Sequence, residues 1–360
     1  MTSRKRIALI TLDYPPEKGG VARYLGNLVQ VSHGLMDVFV NETHRAGGPG
    51  HIEPVRLVRT PWPHWWPMVS VMRELRLRGY ASLFVSQALP CGTAAWIAKL
   101  TGGLPYSVLL HGLDLRLALR SKRKSWLLRR ILRGAKTVLA NSQTVADEIR
   151  AFDQKLKPVV LTPGVEEMTF PEREPARHSF GIPDGVFQVL CVTRLVPRKG
   201  VDRLLEAMQL LPSDVRLTVI GDGHDRERLL KLAEPFGDRV SFLHELDDES
   251  RNAWYAASDA FALPVRDEGN DVEGFGIVFL EAALAGLPAV AGKSGGAVEA
   301  VIHEKTGLHV EPNDSKEIAG AIQRLRADET LRRRLGEAGR RRVLQDFRWS
   351  DRWDKLLELV

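Results

Sequence analysis

Two positive side chains lie on one short loop of the sequence, VTRLVPRKG. Arg194 and Lys199 stand on either side of Pro197, and Gly200 ends the loop. The residues before the loop form a strongly β-type run, so we expect both cations at the carboxyl end of a strand. There they suit a diphosphate, because two positive groups neutralise its charge without a metal. The alternative is a solvated surface pair, and we expect Arg198 to be the cation that faces solvent.

Two carboxylates, Glu273 and Glu281, follow in the segment EGFGIVFLEAALAGLP. Gly274 and Gly276 leave backbone N–H groups accessible, and residues 277–284 are typical of a buried helix. A carboxylate in an apolar helix needs hydrogen-bond donors, which ligand hydroxyls or protein N–H groups could supply. The alternative is a buried Glu281 that braces neighbouring loops.

Glycines mark further turns of the same kind. Gly19 and Gly20 follow the first predicted strand, where backbone N–H groups and a helix N-terminus could approach an anion or a sugar. Gly221, in VIGDGHD, could lie against a base or a ribose. The alternative is an ordinary strand-to-helix turn, which is the commoner reason for such glycines. No segment here fits G-x-G-x-x-G, which argues against a nicotinamide cofactor.

The sequence gives little support to a metal site or a disulfide framework. Asp267, Glu268 and Asp271 resemble a calcium loop, but the required Gly at position six and Glu at position twelve are missing. Cys91 and Cys191 are far apart, which indicates a reducing compartment. There is no apolar run of about 18 residues and no signal-peptide core, so we expect a cytoplasmic protein.

Short β-type runs alternate with amphipathic segments, which predicts an α/β fold with parallel sheets. In such sheets ligands bind at the carboxyl ends of the strands. That rule places the glycines, the two cations, the carboxylates of residues 268–276 and His111 together, and it predicts one ligand cleft between two domains. The predicted strands are residues 6–12, 37–41, 82–86, 107–111, 137–141, 158–161, 188–193, 216–220, 240–243, 260–264 and 289–291.

A chain of 360 residues exceeds what one hydrophobic core usually supports. We expect an N-terminal domain over 1–170, a C-terminal domain over 171–340, and a C-terminal helix over 341–360 that packs towards the N-terminal domain. The Pro-rich and charged stretch at 171–185 predicts a linker. Residues 1–170 carry 24 Lys and Arg against 12 Asp and Glu, so this half is basic. A basic half suits a nucleic acid, an anionic membrane or a phosphorylated substrate.

The chain resembles the family 4 retaining glycosyltransferases, whose GT-B architecture has two Rossmann-like domains facing each other across a donor cleft. The motifs that carry the resemblance occur in the family's order: PPEKGGVARYL, LLHGLDL, NSQTVADEI, TPGV, VTRLVPRKGVDRLLEA, VIGDGHDRERL, VSFLHELDD and the E-x7-E segment through GGAVEAV. RLVPRKG and DVEGFGIVFLEA look most like GDP-mannose-dependent mannosyltransferases that act on phosphatidylinositol mannosides. Asp114, Pro163, Glu166 and His244 depart from the usual family residues, and the last leaves the identity of the base open.

The resemblance implies a role for each candidate residue. It implies that Arg194 and Lys199 hold the donor diphosphate and that Glu281 accepts hydrogen bonds from the ribose. Glu273 would hold the donor sugar, together with the amides of Gly274, Phe275, Gly276 and Ile277. The Gly19–Gly20 loop would approach the phosphate and the sugar, and His111 would lie beside the sugar ring.

The implied reaction moves a hexose, with mannose favoured, from a nucleotide diphosphate sugar to a lipid-linked or saccharide acceptor, with retention. It needs no metal and no organic cofactor, and GDP-mannose is favoured over UDP-sugars as the donor. The alternatives are a UDP-sugar-dependent glucosyl- or N-acetylglucosaminyltransferase, a sugar-nucleotide epimerase, and a non-catalytic protein that binds a sugar nucleotide.

The basic half has a more specific interpretation. Residues 120–136 contain a stripe of Leu127, Leu128, Ile131 and Leu132 beside three arginines. With the tryptophans of PWPHWWPM, this segment could form a membrane-facing surface on the inner face of the cytoplasmic membrane. A helix that packs on the domain core and exposes its basic side is the alternative. No nucleic-acid-binding module accompanies the charge, so we expect no nucleic acid partner.

Overall fold

The structure is a computed structural model that describes residues 6–17, 19–44, 47–60, 62–244, 246–269 and 271–360. The chain divides into two compact units. Unit 1 comprises residues 1–164 and 348–360, and unit 2 comprises residues 165–347. Each unit contains one parallel sheet with helices, so the predicted α/β fold is confirmed.

Unit 1 contains a sheet of seven parallel strands in the order β3-β2-β1-β4-β5-β6-β7. The chain runs outwards from β1 in one direction and outwards from β4 in the other, so the connections diverge between these two strands. Ligands of open α/β sheets bind at such a switch point, outside the carboxyl ends of the strands. The strands are β1 Ile7–Ile10, β2 Met36–Asn41, β3 Ile52–Val55, β4 Ser82–Ser86, β5 Tyr106–Leu110, β6 Thr137–Ala140 and β7 Val159–Val160.

Helices cover this sheet because its central strands are apolar and buried on both faces. They are α1 Gly20–Gln30, α2 Trp66–Leu77, α3 Thr93–Leu100, α4 Leu113–Leu119, α5 Lys122–Gly134 and α6 Gln143–Phe152, with a π turn at Ala88–Gly92.

Unit 2 contains six parallel strands in the order β10-β9-β8-β11-β12-β13, with its switch point between β8 and β11. The strands are β8 Phe187–Val192, β9 Val215–Ile220, β10 Val240–Leu243, β11 Ala260–Leu263, β12 Ala289–Gly292 and β13 Gly307–Val310. The helices are α7 Arg173–Ser179, α8 Val201–Met208, α9 Arg226–Ala233, α10 Asp248–Ala257, α11 Ile277–Leu284, α12 Ala297–Ala300, α13 Ser315–Ala327 and α14 Glu329–Asp346, with 3₁₀ turns at Pro197–Lys199 and Glu234–Arg239.

The last helix, α15 Trp349–Leu359, belongs to unit 1. The single helix expected over 341–360 is two helices, because the chain leaves the helical path at Phe347 and Arg348. Phe347 is buried in the core of unit 2, whereas Trp349 is buried in the core of unit 1 and packs edge-on against Tyr24, with ring centroids 5.1 Å apart. The break therefore lies where the chain passes from one core to the other.

Three further features differ from the sequence predictions. Strands β3 and β13 were not predicted, and both are edge strands. The first contains Pro54, which a sheet edge tolerates because an edge strand has a row of N–H groups without sheet partners. The predicted linker at 171–185 is wrong, because it contains α7, whose buried Arg177 pairs with Asp259 of the same unit at 3.2 Å.

Candidate functional site

At the switch point of unit 2, the loops after β8 and β11 pack directly against each other. The amide of Arg266 donates to the carbonyl of Arg198 at 2.8 Å. A Cβ atom on Gly200 would lie 2.1 Å from the carbonyl oxygen of Pro264, so only glycine allows this approach. The two loops therefore form one edge that carries both predicted cations and Glu273.

A buried ion-pair cluster joins the two loops. Lys199 and Arg198 both donate to Oε2 of Glu273, and the distance from Arg198 is 2.7 Å. Arg198 Nε also lies 2.9 Å from Oδ2 of Asp271. Burial by itself would raise the pKa of Glu273, but the charges and hydrogen bonds of Lys199 and Arg198 outweigh it and lower that pKa to about 2. Glu273 is therefore an ionised hydrogen-bond acceptor. Burial also lowers the pKa of Lys199.

A pocket of about 400 Å³ opens beside this cluster, a size within the range of small-molecule sites. The solvent exposure of two arginines on this loop is the reverse of the prediction. The side chain of Arg198 is 11% exposed and paired, so the expectation that it faces solvent is wrong, whereas Arg194 is exposed. The pocket is lined by Arg194, Val196, Pro197, Arg198, Gly223, His224, Glu268 and Asp271.

Glu281 lies on α11, almost fully buried, where the hydroxyl of Tyr255 donates to its Oε2 at 3.0 Å. Gly276 precedes α11 with a φ of +88°, and as an N-cap glycine it offers no side chain to the first helical amides. The side chain of Phe275 is buried in the core, with its ring 5.8 Å from that of Phe347. Phe275 can therefore contact a ligand only through its backbone. The same holds for Gly274 and Gly276, which have no side chain, and the amide of Ile277 follows them.

Packing alone accounts for Gly221. Its φ is +141°, and a Cβ atom there would lie 1.9 Å from the carbonyl oxygen of Thr193. Gly295 is similar, because a Cβ atom would lie 2.2 Å from the carbonyl oxygen of Glu273. These glycines let neighbouring loops approach one another, and no ligand is needed to explain them.

At the switch point of unit 1, His111 follows β5 and faces Ser86 at the end of β4. Its Nε2 lies 3.0 Å from the Ser86 hydroxyl oxygen, and its ring packs edge-on against Tyr24 at 5.6 Å. Burial lowers the pKa of His111 to about 4, so the imidazole is neutral at physiological pH. Asp114 accepts hydrogen bonds from the amides of His111 and Gly112 at 3.2 and 3.1 Å and fixes this loop.

Gly19 and Gly20 stand at the start of α1 in open space. No heavy atom of the described residues lies within 4 Å of a Cβ atom built on either, beyond their chain neighbours and the helix's own backbone. Gly19 has extended backbone geometry, with a φ of 170°, which any residue could adopt. The fold of the described chain therefore gives no steric reason for glycine at these two positions, unlike Gly221.

Sequence reasoning missed Asp13 and Gln87, which follow β1 and β4 at the same switch point. The side-chain amide of Gln87 donates to Asp13, and Gln87 has a φ of +77°, an unusual value for a residue other than glycine. Burial and the nearby charge of Glu17 raise the pKa of Asp13. Their positions just beyond the carboxyl ends of two adjacent strands were the signal that could have found them.

The described residues contain neither a cluster suited to a metal ion nor a helix suited to span a membrane. Within residues 6–17, 19–44, 47–60, 62–244, 246–269 and 271–360, no group of three or more His, Cys, Asp or Glu side chains could hold a metal ion. In the same ranges no helix is both long and apolar enough to cross a membrane. Independence of metals stays a prediction.

Two family models match the chain, "Glycosyltransferase Family 4" over residues 18–167 and "Glycosyl transferases group 1" over residues 172–342. A solved structure of sucrose-phosphate synthase from Thermosynechococcus elongatus superposes with a TM-score of 0.84, at 26% identity and over 99% of this chain and 98% of that one. The Anabaena protein HepE in complex with UDP and glucose gives 0.80, at 23% identity and over 97% and 98%. The two Rossmann-like domains thus have the GT-B fold.

A curated relative from Mycobacterium tuberculosis is a GDP-mannose-dependent alpha-(1-6)-phosphatidylinositol monomannoside mannosyltransferase. It is 32% identical, and the match covers 99% of this chain and 98% of the relative. Matches along the whole length at this identity establish homology. The chain belongs to glycosyltransferase family 4, and the protein is a glycosyltransferase.

Proposed function

We propose that the protein transfers mannose from GDP-mannose to a hydroxyl group of a phosphatidylinositol mannoside, with retention of the anomeric configuration. The observation that carries this proposal is the identity with the mycobacterial mannosyltransferase over nearly the whole of both chains. The ion-pair cluster of unit 2 supports it, because an ionised carboxylate and adjacent cations suit a sugar attached to a diphosphate.

In this proposal unit 2 binds the donor. Arg194 and Lys199 neutralise the diphosphate, and they stabilise the negative charge that grows on it as the bond to the sugar breaks. Glu273 accepts hydrogen bonds from sugar hydroxyls, with the backbone amides at the start of α11 beside it. Glu281, held by Tyr255 at 3.0 Å, accepts from the ribose hydroxyls.

Proton transfer in the proposal does not use Glu273. Its pKa of about 2 leaves it ionised, and its ion pairs make it a poor proton carrier near neutral pH. The acceptor oxygen forms a bond to the anomeric carbon on the face that the diphosphate leaves, and the acceptor proton passes to a departing phosphate oxygen. His111, neutral at this pH, contacts the sugar ring without transferring a proton.

Thermal stability with four ligands tests the donor. A ligand that binds only the folded protein raises its melting temperature. We expect GDP-mannose to raise it more than GDP, UDP or UDP-glucose. A larger rise with UDP-glucose would contradict the donor assignment and favour a UDP-sugar-dependent transferase.

The acceptor is proposed to be membrane-bound, on the evidence of the outer surfaces of α4 and α5. The stripe predicted to face a membrane does not do so, since Leu128, Ile131 and Leu132 are buried in the core. On these two helices the large exposed apolar side chains are instead Trp126 of α5 and, on adjacent α4, leucines 113, 117 and 119.

Exposed cations lie on the same helix as Trp126. Lys122 and Arg123 are exposed at the start of α5, and Arg130 lies over the ring of Trp126, at 5.4 Å from its centroid. Arg133, by contrast, is paired with Asp153 at 2.6 Å. Exposed tryptophan and leucine side chains on helices that also expose lysine and arginine suit the interface of an anionic bilayer.

Sedimentation with phosphatidylglycerol vesicles tests this surface. We expect the double variant Lys122→Glu, Arg123→Glu to bind them less than the wild type, with the difference shrinking as salt rises. Arg340→Glu, Arg341→Glu on α14 of unit 2 makes the same change in charge at exposed positions and serves as the control. Equal binding by the two double variants would contradict a membrane role for this surface.

A further inference from the structure

Arg198 lies between two carboxylates at the edge of the donor pocket. Its Nη1 donates to Oε2 of Glu273 at 2.7 Å, and its Nε lies 2.9 Å from Oδ2 of Asp271. Its own backbone carbonyl accepts from the amide of Arg266 at 2.8 Å. The guanidinium is therefore fixed by contacts on both sides, and it also lines the 400 Å³ pocket.

The charges of this cluster balance when no donor is bound. Arg198 and Lys199 are two cations, and Glu273 and Asp271 are two anions. A nucleotide diphosphate sugar adds negative charge, and Lys199 is the buried cation that the proposed function assigns to it. Once Lys199 turns towards the diphosphate, Glu273 keeps a positive neighbour only through Arg198. A buried carboxylate that loses its counter-charges is strongly destabilised.

We propose that Arg198 is the positioning residue that holds Glu273 ionised and aimed at the donor sugar while Lys199 neutralises the diphosphate. The planar guanidinium suits this role because its N–H groups bind two carboxylates at once, which a single ammonium group does less well. The inference rests on the proposed function, in that the ligand is a nucleotide diphosphate sugar. It predicts that Arg198 contributes to the affinity for the sugar and that Lys199 contributes to the affinity for the diphosphate.

Calorimetric titration of the full chain separates these two contributions. The ligands are two pairs, GDP with GDP-mannose and UDP with UDP-glucose, and the measured quantity is the ratio of dissociation constants within each pair. We expect Arg198→Met to lower the advantage of the sugar nucleotide by about tenfold while binding of the bare diphosphate changes less, as expected for loss of a charge-assisted contact. Arg198→Lys should recover part of that advantage.

The control is Arg324→Met, which removes an arginine paired with Glu304 elsewhere in unit 2 and should leave the ratio unchanged. If Arg198→Met lowers the binding of both members of a pair equally, or leaves the ratio unchanged, the inference is overturned. If Arg198→Met fails to fold, Arg198→Lys decides. Lysine lacks the planar guanidinium that binds two carboxylates at once, so the ratio should still fall.

Failure of the proposed function gives a different result. A wild type that prefers UDP-glucose to GDP-mannose overturns the proposed donor, and the UDP pair then tests Arg198. A wild type that binds none of the four ligands overturns both. A further readout is pH, since loss of Arg198 should raise the pKa of Glu273. As the pH is lowered, the preference of Arg198→Met for the sugar nucleotide over the bare diphosphate should then be lost at a higher pH than that of the wild type.

Discussion

The carboxyl edges of the two sheets contain similar residue types but are built differently. In unit 2 the glycines let loops pack against one another, and the cations and carboxylates are joined in a buried cluster. In unit 1 Gly19 and Gly20 stand in open space, and His111 is a neutral ring held by Ser86 and by the loop that Asp114 fixes. Gly221 therefore has a packing reason, whereas Gly19 and Gly20 have none among the described residues.

The comparison teaches that stability and binding should respond differently at the two edges. Where the fold itself fills the space around a residue, a substitution acts first on folding. Where the surrounding space is empty, the same substitution acts first on what binds there. The predictions that follow use this separation, beginning with the largest effect on binding and ending with the smallest effect on stability.

Lys199→Met should have the largest effect on the donor. Loss of a buried cation that faces a diphosphate costs about 2 kcal/mol or more, which is roughly 30-fold in the dissociation constant. Calorimetry with GDP and with guanosine measures it, and guanosine should bind the variant and the wild type alike. Equal losses for both ligands would remove Lys199 from the diphosphate site.

Gly221→Ala should destabilise unit 2. The substitution combines a φ of +141° with a Cβ atom 1.9 Å from the carbonyl oxygen of Thr193, so we expect the free energy of unfolding to fall by about 2 to 4 kcal/mol. Chemical denaturation followed by circular dichroism measures the change. A variant as stable as the wild type would show that this edge is less tightly packed than the structure indicates.

His111 should make the stability of unit 1 depend on pH. Its pKa falls from 6.5 in the unfolded chain to about 4 when buried, so its contribution is complete above the first value and is lost as the pH falls towards the second. His111→Gln removes this titration. From about pH 7 to about pH 5 the melting temperature of the wild type should decline more than that of the variant. Parallel declines would show that His111 does not titrate in this range.

Gly20→Ala should change stability least and still reduce activity. A Cβ atom at this position meets no described atom within 4 Å, and alanine favours a helix by up to about 1 kcal/mol over glycine. We expect an unchanged or slightly higher melting temperature together with transfer that is slower by about tenfold or more, because the added methyl group displaces the ligand. Full activity would show that no ligand approaches this turn.

The sequence predicted the α/β fold and the buried strands well, because alternation of short β-type runs and helices is a strong signal. It missed the edge strands β3 and β13, where Pro54 and Gly307 weaken the pattern. It also read α7 as a linker, because only the folded unit shows that Asp259 compensates the charge of Arg177.

For the candidate site, the strand-end rule brought the right loops together, but it could not show which side chains pair. Arg198 has the same type and neighbourhood as Arg194, and only the folded loop shows that Asp271 and Glu273 enclose it. In the same way, nothing in VIGDGHD shows that the carbonyl of Thr193 lies where a side chain of residue 221 would be. Pairings between distant segments decide these points.

Transfer to a defined acceptor tests the central claim most directly. Purified protein is incubated with GDP-mannose and phosphatidylinositol monomannoside, and the product is analysed for its anomeric configuration by NMR, with UDP-glucose in a parallel reaction. The account predicts an α-linked mannosyl product that forms from GDP-mannose and forms much more slowly with Lys199→Met. A β-linked product, transfer from UDP-glucose alone, or release of free mannose without a glycoside would contradict it.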